Sequence, residues 1–410
     1  MINRLVLLVA VGVHVFAQGP PKVTTLYDFS YPAQLYNPVV IGSGGVLYGT
    51  TFGGVSCCGT VFSLSPPSSP GGSWNLTTLY SFTGGEDGSL PSGPVAIGDA
   101  GVLYGATLQG GNDFGTVFSL MPPTSPGGAW TEKVLYSFGR PNDGAPSSGV
   151  TIGPNNVLYG TTVASVYSLM PPSSSGGAWT FELLHAFKYL TYSGVVIGQN
   201  GALYGTTGYG GSTDHGMVYV LQPPSSPGGS WTEGEVYSFM GGSDGADPVA
   251  GVVIGPCGVL YGTTYQGGNY SCSYANGCGT VFRLVPPASP GGAWTETILH
   301  TFTGGSDGAN PQAGITIGQD GVLFGTTEGG GANGGGTVFA LIPPSSAGEP
   351  WTETVLYSFS TNVPGMGWFP EAGVAIGSGG TLYGTTVFDG STTSYYCAEY
   401  GCGTVFSLTR

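Results

Sequence analysis

Acidic side chains recur at one kind of turn along the sequence. Each turn places a Gly directly after an Asp, with a Pro shortly afterwards; the four aspartates are Asp87, Asp143, Asp244 and Asp307. A ring of such carboxylates could bind Ca²⁺ or polarise a substrate. A calcium loop, however, needs several oxygen ligands at alternating positions, and one Asp per loop is too few. The pattern favours a turn in which Asp bonds its own backbone and Gly takes the positive φ.

Aromatic side chains replace Asp-Gly in three other turns of this kind, at residues 31–36, 188–192 and 366–370. A loop at residues 394–400 adds further tyrosines. Such rings stack on sugars or anchor peptides. The predicted ligand-binding residues are Tyr31, Tyr36, Trp368, Phe369, Tyr395 and Tyr396. The alternative is that these rings fill the seam where the two ends of the chain meet.

The sequence offers little for catalysis, and we predict no catalytic residue. His215 lies beside Asp214 in a loop, but an Asp-His pair makes no triad without a placed nucleophile. His185 and His300 take the place of a Tyr in a repeated strand, where we expect them to be packed. Glycosidase chemistry needs two carboxylates about 5–10 Å apart. Candidates exist, although a sequence does not give their separation: Glu328, Asp389 and Glu399.

The elements that hold these residues form a repeat of four strand-like segments. One unit reads ITIG, then LFGTT, then GTVFAL, and after a Pro-Pro-Ser-Ser linker WTETVLYSF. These runs are rich in β-branched and aromatic residues and are bounded by Gly and Pro, which is typical of strands. No stretch keeps a 3.6-residue period, so we expect almost no helix. Four-stranded antiparallel units repeated radially make a β-propeller.

The order of the segments predicts how the ring closes. A copy of the fourth strand stands alone at Val23–Phe29, and the chain stops after a third strand near Leu408. The N-terminal strand should therefore complete the last blade, which removes exposed sheet edges. We predict a single all-β domain over residues 18–410, a seven-bladed propeller with repeats near 38–82, 94–138, 149–187, 194–239, 251–302, 314–359 and 373–408 plus 23–29. The inter-blade loops and the loops between second and third strands should share one face.

This unit, with LYGTT, GTVF, a GG-W-T-E linker and VLYSF repeated over nearly the whole chain, is similar to the GloVer tandem repeat of the "choice-of-anchor" secreted bacterial proteins. The resemblance implies a secreted, surface-associated repeat protein. It implies no particular activity.

Composition and the N-terminus narrow the partners and the compartment. The chain has 7 Lys+Arg against 22 Asp+Glu and a net charge of −15, which disfavours nucleic acid and anionic lipid as partners. Residues 1–17 read as a signal peptide, with Arg4, an apolar run over Leu5–Phe16 and a small-residue cleavage site at Ala17. We expect no transmembrane segment in the mature chain. The Glu after each Trp-Thr should be a solvated charge on an outer strand: Glu132, Glu233, Glu296 and Glu353.

Cysteine spacing fits an oxidising compartment. Cys272 and Cys278 lie close in one loop, and Cys397 and Cys402 lie in the equivalent loop of another repeat, so each pair is a disulfide candidate. Cys57 and Cys58 are adjacent and could be bridged or reduced, and Cys257 is expected to be unpaired. The pairs are far apart along the repeats and no His is near them, so we predict no metal site, with Ca²⁺ as the only ion to test.

These observations predict a secreted, monomeric, non-catalytic binding module for an extracellular glycan or protein. The alternatives are a propeller enzyme acting on polysaccharide, of glycoside hydrolase or lyase type, and a purely structural surface protein. A deep channel lined with acids would favour the enzyme, and a shallow aromatic patch would favour binding.

Overall fold

The computed structural model describes residues 21–54, 58–69, 71–125, 127–139, 144–174, 176–226, 228–270, 272, 276–289, 291–346, 348–361, 367–388 and 402–410. The predicted signal peptide, 1–17, lies outside the described residues. The described part is all-β, and its helical elements are short 3-10 turns.

Seven antiparallel sheets form the seven blades of a β-propeller, so the predicted fold is confirmed. From the innermost strand outward, blade one comprises β2 (Val40–Ile41), β3 (Leu47–Thr51), β4 (Thr60–Ser65) and β5 (Asn75–Ser81). Blade two comprises β7 (Ala96–Ile97), β8 (Leu103–Gly111), β9 (Phe114–Met121) and β10 (Thr131–Ser137), with the short β6 (Ser89–Pro91) beside β8. Blade three comprises β11 (Thr151–Ile152), β12 (Leu158–Thr162), β13 (Ser165–Met170) and β14 (Thr180–Ala186).

Blades four to six repeat this order without an added strand. Their strands are β15 (Val196–Ile197), β16 (Leu203–Thr207), β17 (Met217–Gln222) and β18 (Thr232–Ser238); β19 (Val253–Ile254), β20 (Leu260–Thr264), β21 (Thr280–Val285) and β22 (Thr295–Thr301); and β23 (Thr316–Ile317), β24 (Leu323–Thr327), β25 (Gly334–Ile342) and β26 (Thr352–Ser360).

The seventh blade contains strands from both ends of the described chain. It comprises β27 (Ala375–Ile376), β28 (Leu382–Thr386), β29 (Thr404–Thr409) and, outermost, β1 (Lys22–Asp28). β1 pairs antiparallel with β29 from Lys22↔Thr409 to Asp28↔Thr404. The predicted closure is therefore confirmed.

A tight 3-10 turn joins the first and second strands of every blade. The middle residue of each turn has positive φ, between 53° and 68°, which favours Gly, Asn or Asp there. The turns are Ser43–Gly45, Asp99–Gly101, Pro154–Asn156, Gln199–Gly201, Pro256–Gly258, Gln319–Gly321 and Ser378–Gly380.

One aromatic pair joins every blade to the next. The Phe that ends each fourth-strand motif packs against the aromatic ring in the third strand of the following blade, with ring centroids 4.6–5.4 Å apart. The pairs are Phe29–Phe62, Phe82–Phe118, Phe138–Tyr167, Phe187–Tyr219, Phe239–Phe282, Phe302–Phe339 and Phe359–Phe406. In the core between blades these rings pack among aliphatic side chains, such as Leu382 and Leu408 around Phe359 and Phe406.

The Gly of each LYGTT segment makes room for this ring. A Cβ on Gly49 would lie 2.4 Å from the ring of Phe62, and one on Gly262 would lie 2.5 Å from Phe282. Atoms do not approach so closely, so any side chain there would displace the ring from its partner.

A second ring of contacts holds the blades together near the axis. In six blades a second-strand Thr hydroxyl donates to a backbone carbonyl of the next blade at 2.9–3.3 Å. The donors are Thr50, Thr161, Thr206, Thr263, Thr326 and Thr385. Blade two has Ala106 at this position, and there the Ser92 hydroxyl donates instead to the Ser148 carbonyl at 3.3 Å. The loop entering each innermost strand is thereby fixed to its neighbour.

The linker Trp of a blade packs on the preceding blade at every interface except that between blades six and seven. Six Trp–Tyr pairs have centroids 6.0–6.3 Å apart: Trp74–Tyr383, Trp130–Tyr48, Trp179–Tyr104, Trp231–Tyr159, Trp294–Tyr204 and Trp351–Tyr261. Between blades six and seven, the Tyr is replaced by Phe324, and the Arg410 guanidinium lies 4.4 Å above its ring. The same guanidinium donates to the Gly380 carbonyl at 3.0 Å. A cation–π contact thus takes the place of the missing Trp.

The Glu after Trp-Thr is half-buried in three blades, so the expectation of a fully solvated charge was wrong for Glu132, Glu296 and Glu353. Each has one buried carboxyl oxygen without a protein partner. Burial, together with the Asp of the adjacent turn, raises the pKa of Glu132 and of Glu296 to about 7. Burial and Asp307 likewise raise the pKa of Glu353 to about 7, although His300 lowers it.

The fourth of these residues, Glu233, is exposed, as expected. It lies 3.1 Å from the His185 ring of the preceding blade.

Removing one inter-blade ring should weaken the whole propeller. Phe302 is fully buried, with its centroid 5.2 Å from that of Phe339. We expect Phe302→Ala to lower the free energy of unfolding by about 3–5 kcal/mol. The measurement is urea unfolding followed by tryptophan fluorescence. Phe114→Ala, at a ring that is 41% exposed, is the control and should cost under about 0.5 kcal/mol. Equal effects of the two changes would contradict the assigned role of the ring pairs.

The half-buried glutamates should make the fold more stable in mild acid than at neutral pH. Their folded pKa values of about 7 lie above that of an unfolded Glu, about 4.3, so their stabilising effect is complete below pH 4.3 and is lost as the pH rises through 7. We expect the urea concentration at the unfolding midpoint to decrease as the pH is raised from 4.5 to 7.5. In the Glu132→Gln/Glu296→Gln/Glu353→Gln variant this decrease should be smaller. An unchanged pH dependence in that variant would refute this origin.

Candidate functional site

The mouth of the central channel is built from three equivalent positions in each blade. Two lie in the loop that enters the innermost strand, and one directly follows the Thr-Thr pair of the second strand. In six blades the backbone N–H of the third position donates to the carbonyl of the first at 3.0–3.2 Å, which brings these positions together. We call this set of residues the mouth.

The mouth is polar and aromatic on one side and apolar or small on the other. The loop positions of blades four to seven and one are Leu190 and Tyr192, Asp247 and Val249, Asn310 and Gln312, Phe369 and Glu371, and Gln34 and Tyr36. The second-strand positions of the same blades are Gly208, Tyr265, Glu328, Val387 and Phe52. The corresponding residues of blades two and three are Leu90, Ser92, Leu108, Ala145, Ser147 and Val163.

Two carboxyl groups occupy the middle of the polar side. The Tyr265 hydroxyl donates to Glu328 Oε2 at 3.0 Å, and the Gln312 amide donates to Glu371 Oε2 at 3.4 Å. Burial and the charge of Glu328 raise the pKa of Glu371 to about 7. Burial also raises the pKa of Glu328, although the Tyr265 hydrogen bond lowers it. The two groups therefore differ in proton affinity within one site.

Tyr265 remains a hydrogen-bond donor at neutral pH. Burial, followed by the charge of Glu328, raises its pKa well above the ordinary value. A tyrosine held protonated in this way is not an oxygen nucleophile; it orients Glu328 instead.

Three buried acceptor oxygens in the mouth have no partner among the described residues. They are Asp247 Oδ1, Asn310 Oδ1 and Gln312 Oε1. Asn310 is 5% exposed, and its side-chain amide donates to the Tyr265 carbonyl at 2.9 Å while its own carbonyl accepts the Glu328 N–H at 3.2 Å. An unpaired buried acceptor is costly, so this group suits a ligand or water that supplies O–H or N–H donors.

Exposed tyrosines stand at both ends of the polar side. Tyr36 is 37% exposed, packs edge-on against Phe52 with centroids 5.5 Å apart, and has its pKa raised by burial and by Glu371. At the other end, Tyr192 is 43% exposed, and burial, Tyr209 and Asp247 raise its pKa. On the polar side of the described mouth, the row of acceptors (Asp247, Asn310 and Gln312) therefore lies between two aromatic walls, formed by Tyr36 and Tyr192.

Gly208 lets the Tyr192 ring and the Asp247 carboxyl group lie close against the backbone of blade four. A Cβ there would lie 2.8 Å from both Asp247 Oδ1 and the Tyr192 ring. The other six blades carry a larger side chain at this position, including Tyr265 and Glu328. At blade four, the Tyr192 ring and Asp247 Oδ1 occupy the place that such a side chain would take.

The structure separates the predicted aromatic residues into two groups. Tyr36 and Phe369 occupy mouth positions, and Trp368 stacks on Phe388 with centroids 4.4 Å apart at 18°, adjoining the core between blades six and seven. Tyr31 packs edge-on against the buried Phe29, within the core between blades seven and one. Tyr395 and Tyr396 lie outside the described residues.

The Asp-Gly turns use their carboxylates within the turn. Asp87, Asp244 and Asp307 each accept the backbone N–H four residues earlier at 2.8–2.9 Å. Each also contacts the fourth-strand Tyr or His at 3.0–3.3 Å. Burial alone would raise the pKa of Asp307. Hydrogen bonds from His300 and Thr303 lower it by more than burial raises it, so the pKa lies below its usual value. Asp143 lies outside the described residues.

The described cysteines and metal-ligand types form no metal centre. Cys272 and Cys278 are joined by a disulfide with Cα atoms 6.2 Å apart, and Cys58 and Cys402 each also form a disulfide. Cys57 and Cys397 lie outside the described residues, and Cys257 is exposed and free. Among the residues the structure describes, no three His, Cys, Asp or Glu side chains are grouped to hold a metal ion.

Of the carboxylates named from the sequence as possible catalytic groups, Glu328 lies in the mouth. Asp389 and Glu399 are outside the described residues. Glu371, Asp247 and Tyr265 were not predicted. Their signal is variation within the repeat: at these positions blades two and three carry only Leu, Ser, Ala or Val, whereas the other blades include carboxyl, amide and aromatic side chains. The ring of His215, the one His that the sequence places in a loop between strands, contacts the Thr213 hydroxyl, and its backbone carbonyl accepts the Asp247 N–H at 2.9 Å.

Solved structures share the architecture. The extracellular domain of a hybrid two component system from B. thetaiotaomicron is 13% identical over 95% of this chain and 41% of that chain, with a TM-score of 0.51. A Trichoderma reesei carbohydrate-active enzyme of family AA12 is 12% identical over 94% of this chain and 100% of that chain, with a TM-score of 0.44. A gluconolactonase from Xanthomonas campestris is 13% identical over 74% and 86%, with a TM-score of 0.42. At these identities the likeness concerns the fold alone.

No curated protein matches the chain. No helix among the described residues has the length and apolar character needed to span a bilayer. The sequence pattern of the Gloeobacter/Verrucomicrobia repeat matches residues 14–168 and 164–395, which together cover most of the sequence. The resemblance found in the repeat unit is thereby confirmed, and the chain belongs to the Gloeobacter/Verrucomicrobia repeat family.

Proposed function

We propose that the protein is a secreted binding module for a neutral saccharide, which it takes into the polar side of the mouth. The observation that carries this proposal is the row of unpaired acceptors, Asp247 Oδ1, Asn310 Oδ1 and Gln312 Oε1, between exposed tyrosines. Because these oxygens are buried, small side-chain movements on binding would let sugar hydroxyls supply the donors that they lack, while the apolar face of a sugar ring packs on Tyr36 or Tyr192.

Charge restricts the ligand further. Asp247, Glu328 and Glu371 line the polar side, and none of the mouth positions carries a Lys or Arg. An anionic sugar or a phosphate would face repulsion there without a compensating cation. A neutral oligosaccharide avoids this cost, which is why we prefer it to an acidic polymer.

A purely structural role accounts for the inter-blade contacts but not for the polar side of the mouth. A structural channel could be filled by apolar residues, as blades two and three show with Leu90, Leu108 and Val163. Buried acceptors without partners destabilise a fold and suggest that another molecule satisfies them. The exposed extracellular location that we infer from the signal-like N-terminus and the disulfides suits capture of a glycan.

Truncating either tyrosine should weaken saccharide binding without loss of the fold. On an array of neutral and acidic glycans, with and without Ca²⁺, we expect binding to a subset of neutral glycans. Tyr36→Ala and Tyr192→Ala should each weaken that binding by about 3- to 10-fold, because a ring contact contributes about 0.5–1.5 kcal/mol. Phe114→Ala, which removes an exposed ring from blade two, is the control and should bind as the unmodified chain does.

Binding that is confined to acidic glycans, or that survives loss of both tyrosines together, would overturn the proposed site. Absence of binding to every glycan would overturn the saccharide class itself.

Gly208→Ala tests the geometry of the mouth with a single methyl group. The backbone there does not have the positive φ that would strain an alanine, while the new Cβ would meet Asp247 Oδ1 and Tyr192 at 2.8 Å. We expect glycan affinity to fall at least 5-fold, with an urea midpoint close to that of the unmodified protein. Gly44→Ala is the control, in an exposed turn. A Cβ there would have no neighbour within 4 Å, but the positive φ strains an alanine, so we expect reduced stability with unchanged binding. Unaltered affinity of Gly208→Ala would place the ligand elsewhere.

A further inference from the structure

We infer that the mouth also hydrolyses the glycosidic bond of a bound neutral oligosaccharide, with Glu371 as general acid and Glu328 as general base. This inference rests on the proposed saccharide site. It adds a reaction to binding.

The first support is the placement of the two carboxyl groups. Both belong to the polar side of the mouth, in neighbouring blades six and seven. One short loop segment contacts both residues. The Glu328 N–H donates to the Asn310 carbonyl at 3.2 Å, and the side-chain amide of Gln312, two residues further on, donates to Glu371 at 3.4 Å. Each carboxyl group is partly exposed, so a ligand in the mouth can reach it.

The second support is the difference between their hydrogen-bond partners. Glu328 receives the Tyr265 hydroxyl, which stabilises its ionised form. Glu371 is more buried and faces the charge of Glu328, and its pKa of about 7 keeps it substantially protonated near neutral pH. Burial raises the pKa of both groups, but at Glu328 the Tyr265 hydrogen bond opposes that rise, and such a difference between two carboxyl groups divides them into an acid and a base. Tyr265 contacts Glu328, Gln312 contacts Glu371, and Tyr36 lies near Glu371, while the charge of Asp247 acts on Tyr265.

The third support is independent of the acids. Asn310 is 95% buried, as its exposure of 5% implies, yet its Oδ1 has no protein partner. Its backbone and side-chain amide bind the Glu328 and Tyr265 main chains, so it lies directly beside the Tyr265–Glu328 pair. Once a bound ligand opens the site, this buried acceptor can hold a sugar hydroxyl or the attacking water next to the base.

The reaction balances without a cofactor. As the bond between the anomeric carbon and the glycosidic oxygen breaks, Glu371 gives its proton to that oxygen. Water forms the new bond to the anomeric carbon, and Glu328 takes one of its protons. One proton has then moved from Glu371 to Glu328, and exchange with solvent restores both groups before the next turnover.

The test uses the full chain with β-1,4- and β-1,3-linked hexaoses of glucose, mannose and xylose, and measures reducing ends released. We expect at least one hexaose to be cleaved. Glu371→Gln and Glu328→Gln should each lower kcat by about 10²- to 10⁴-fold. Glu86→Gln, at an exposed carboxylate on the same face, is the control and should cleave normally.

A p-nitrophenyl glycoside of the cleaved sugar then separates the two roles. Because p-nitrophenolate leaves without protonation, Glu371→Gln should keep most of its activity on this substrate, whereas Glu328→Gln should not. A merely structural effect would lower both activities together. Equal loss on both substrates would therefore overturn the assignment of Glu371.

The remaining outcomes distinguish this inference from the proposed function. Hexaoses that bind, as measured by calorimetry, but are not cleaved would overturn the hydrolysis and leave the binding site standing. Cleavage that persists in both Gln variants would place the activity outside the mouth. A protein that neither binds nor cleaves any hexaose would overturn both.

Discussion

The contact between a fourth-strand Phe and the third-strand ring of the next blade is the interaction on which the whole architecture depends. It occurs at all seven interfaces, including those that flank the blade shared by the two ends of the chain. A single blade has two apolar faces and cannot bury either one alone. The Gly of LYGTT, the bulky third-strand ring and the Phe of VLYSF are therefore three parts of one contact, repeated until the ring closes.

Closure has a functional consequence because it makes neighbours of residues far apart in the chain. Tyr36 enters blade one and Glu371 enters blade seven, yet the charge of Glu371 raises the pKa of Tyr36. An open array of the same repeats would leave these residues at opposite ends. The polar side of the mouth runs from blade four through blade seven into blade one, so it exists only in the closed ring.

Much of the fold could be predicted from the sequence, because its determinants are periodic. The Gly, Pro and aromatic positions recur in every unit, and the isolated strand near Val23 indicated how the last blade is completed. The candidate site could be predicted only in part. Tyr36 and Phe369 stand out as aromatic residues in inter-blade loops, whereas Glu371 and Asp247 resemble any loop carboxylate until the backbone places them beside Tyr265.

The errors have the same physical origin. Glu132, Glu296 and Glu353 lie on outer strands, where charged groups are normally solvated. Each lies near the Asp-Gly turn that follows the preceding blade, and each is half-buried there. A single repeat does not show what its neighbour covers. Burial in a propeller is decided between blades, and that information enters only with the three-dimensional ring.

The most direct test of the central claim, that the closed ring builds a saccharide site at its mouth, is a crystal structure of the protein soaked with a neutral hexaose that it binds. The row of acceptors and its two aromatic walls predict a sugar ring against Tyr36 or Tyr192, with hydroxyls donating to Asp247, Asn310 or Gln312. A hexaose bound on the outer surface of the blades, with the mouth filled by water alone, would contradict it.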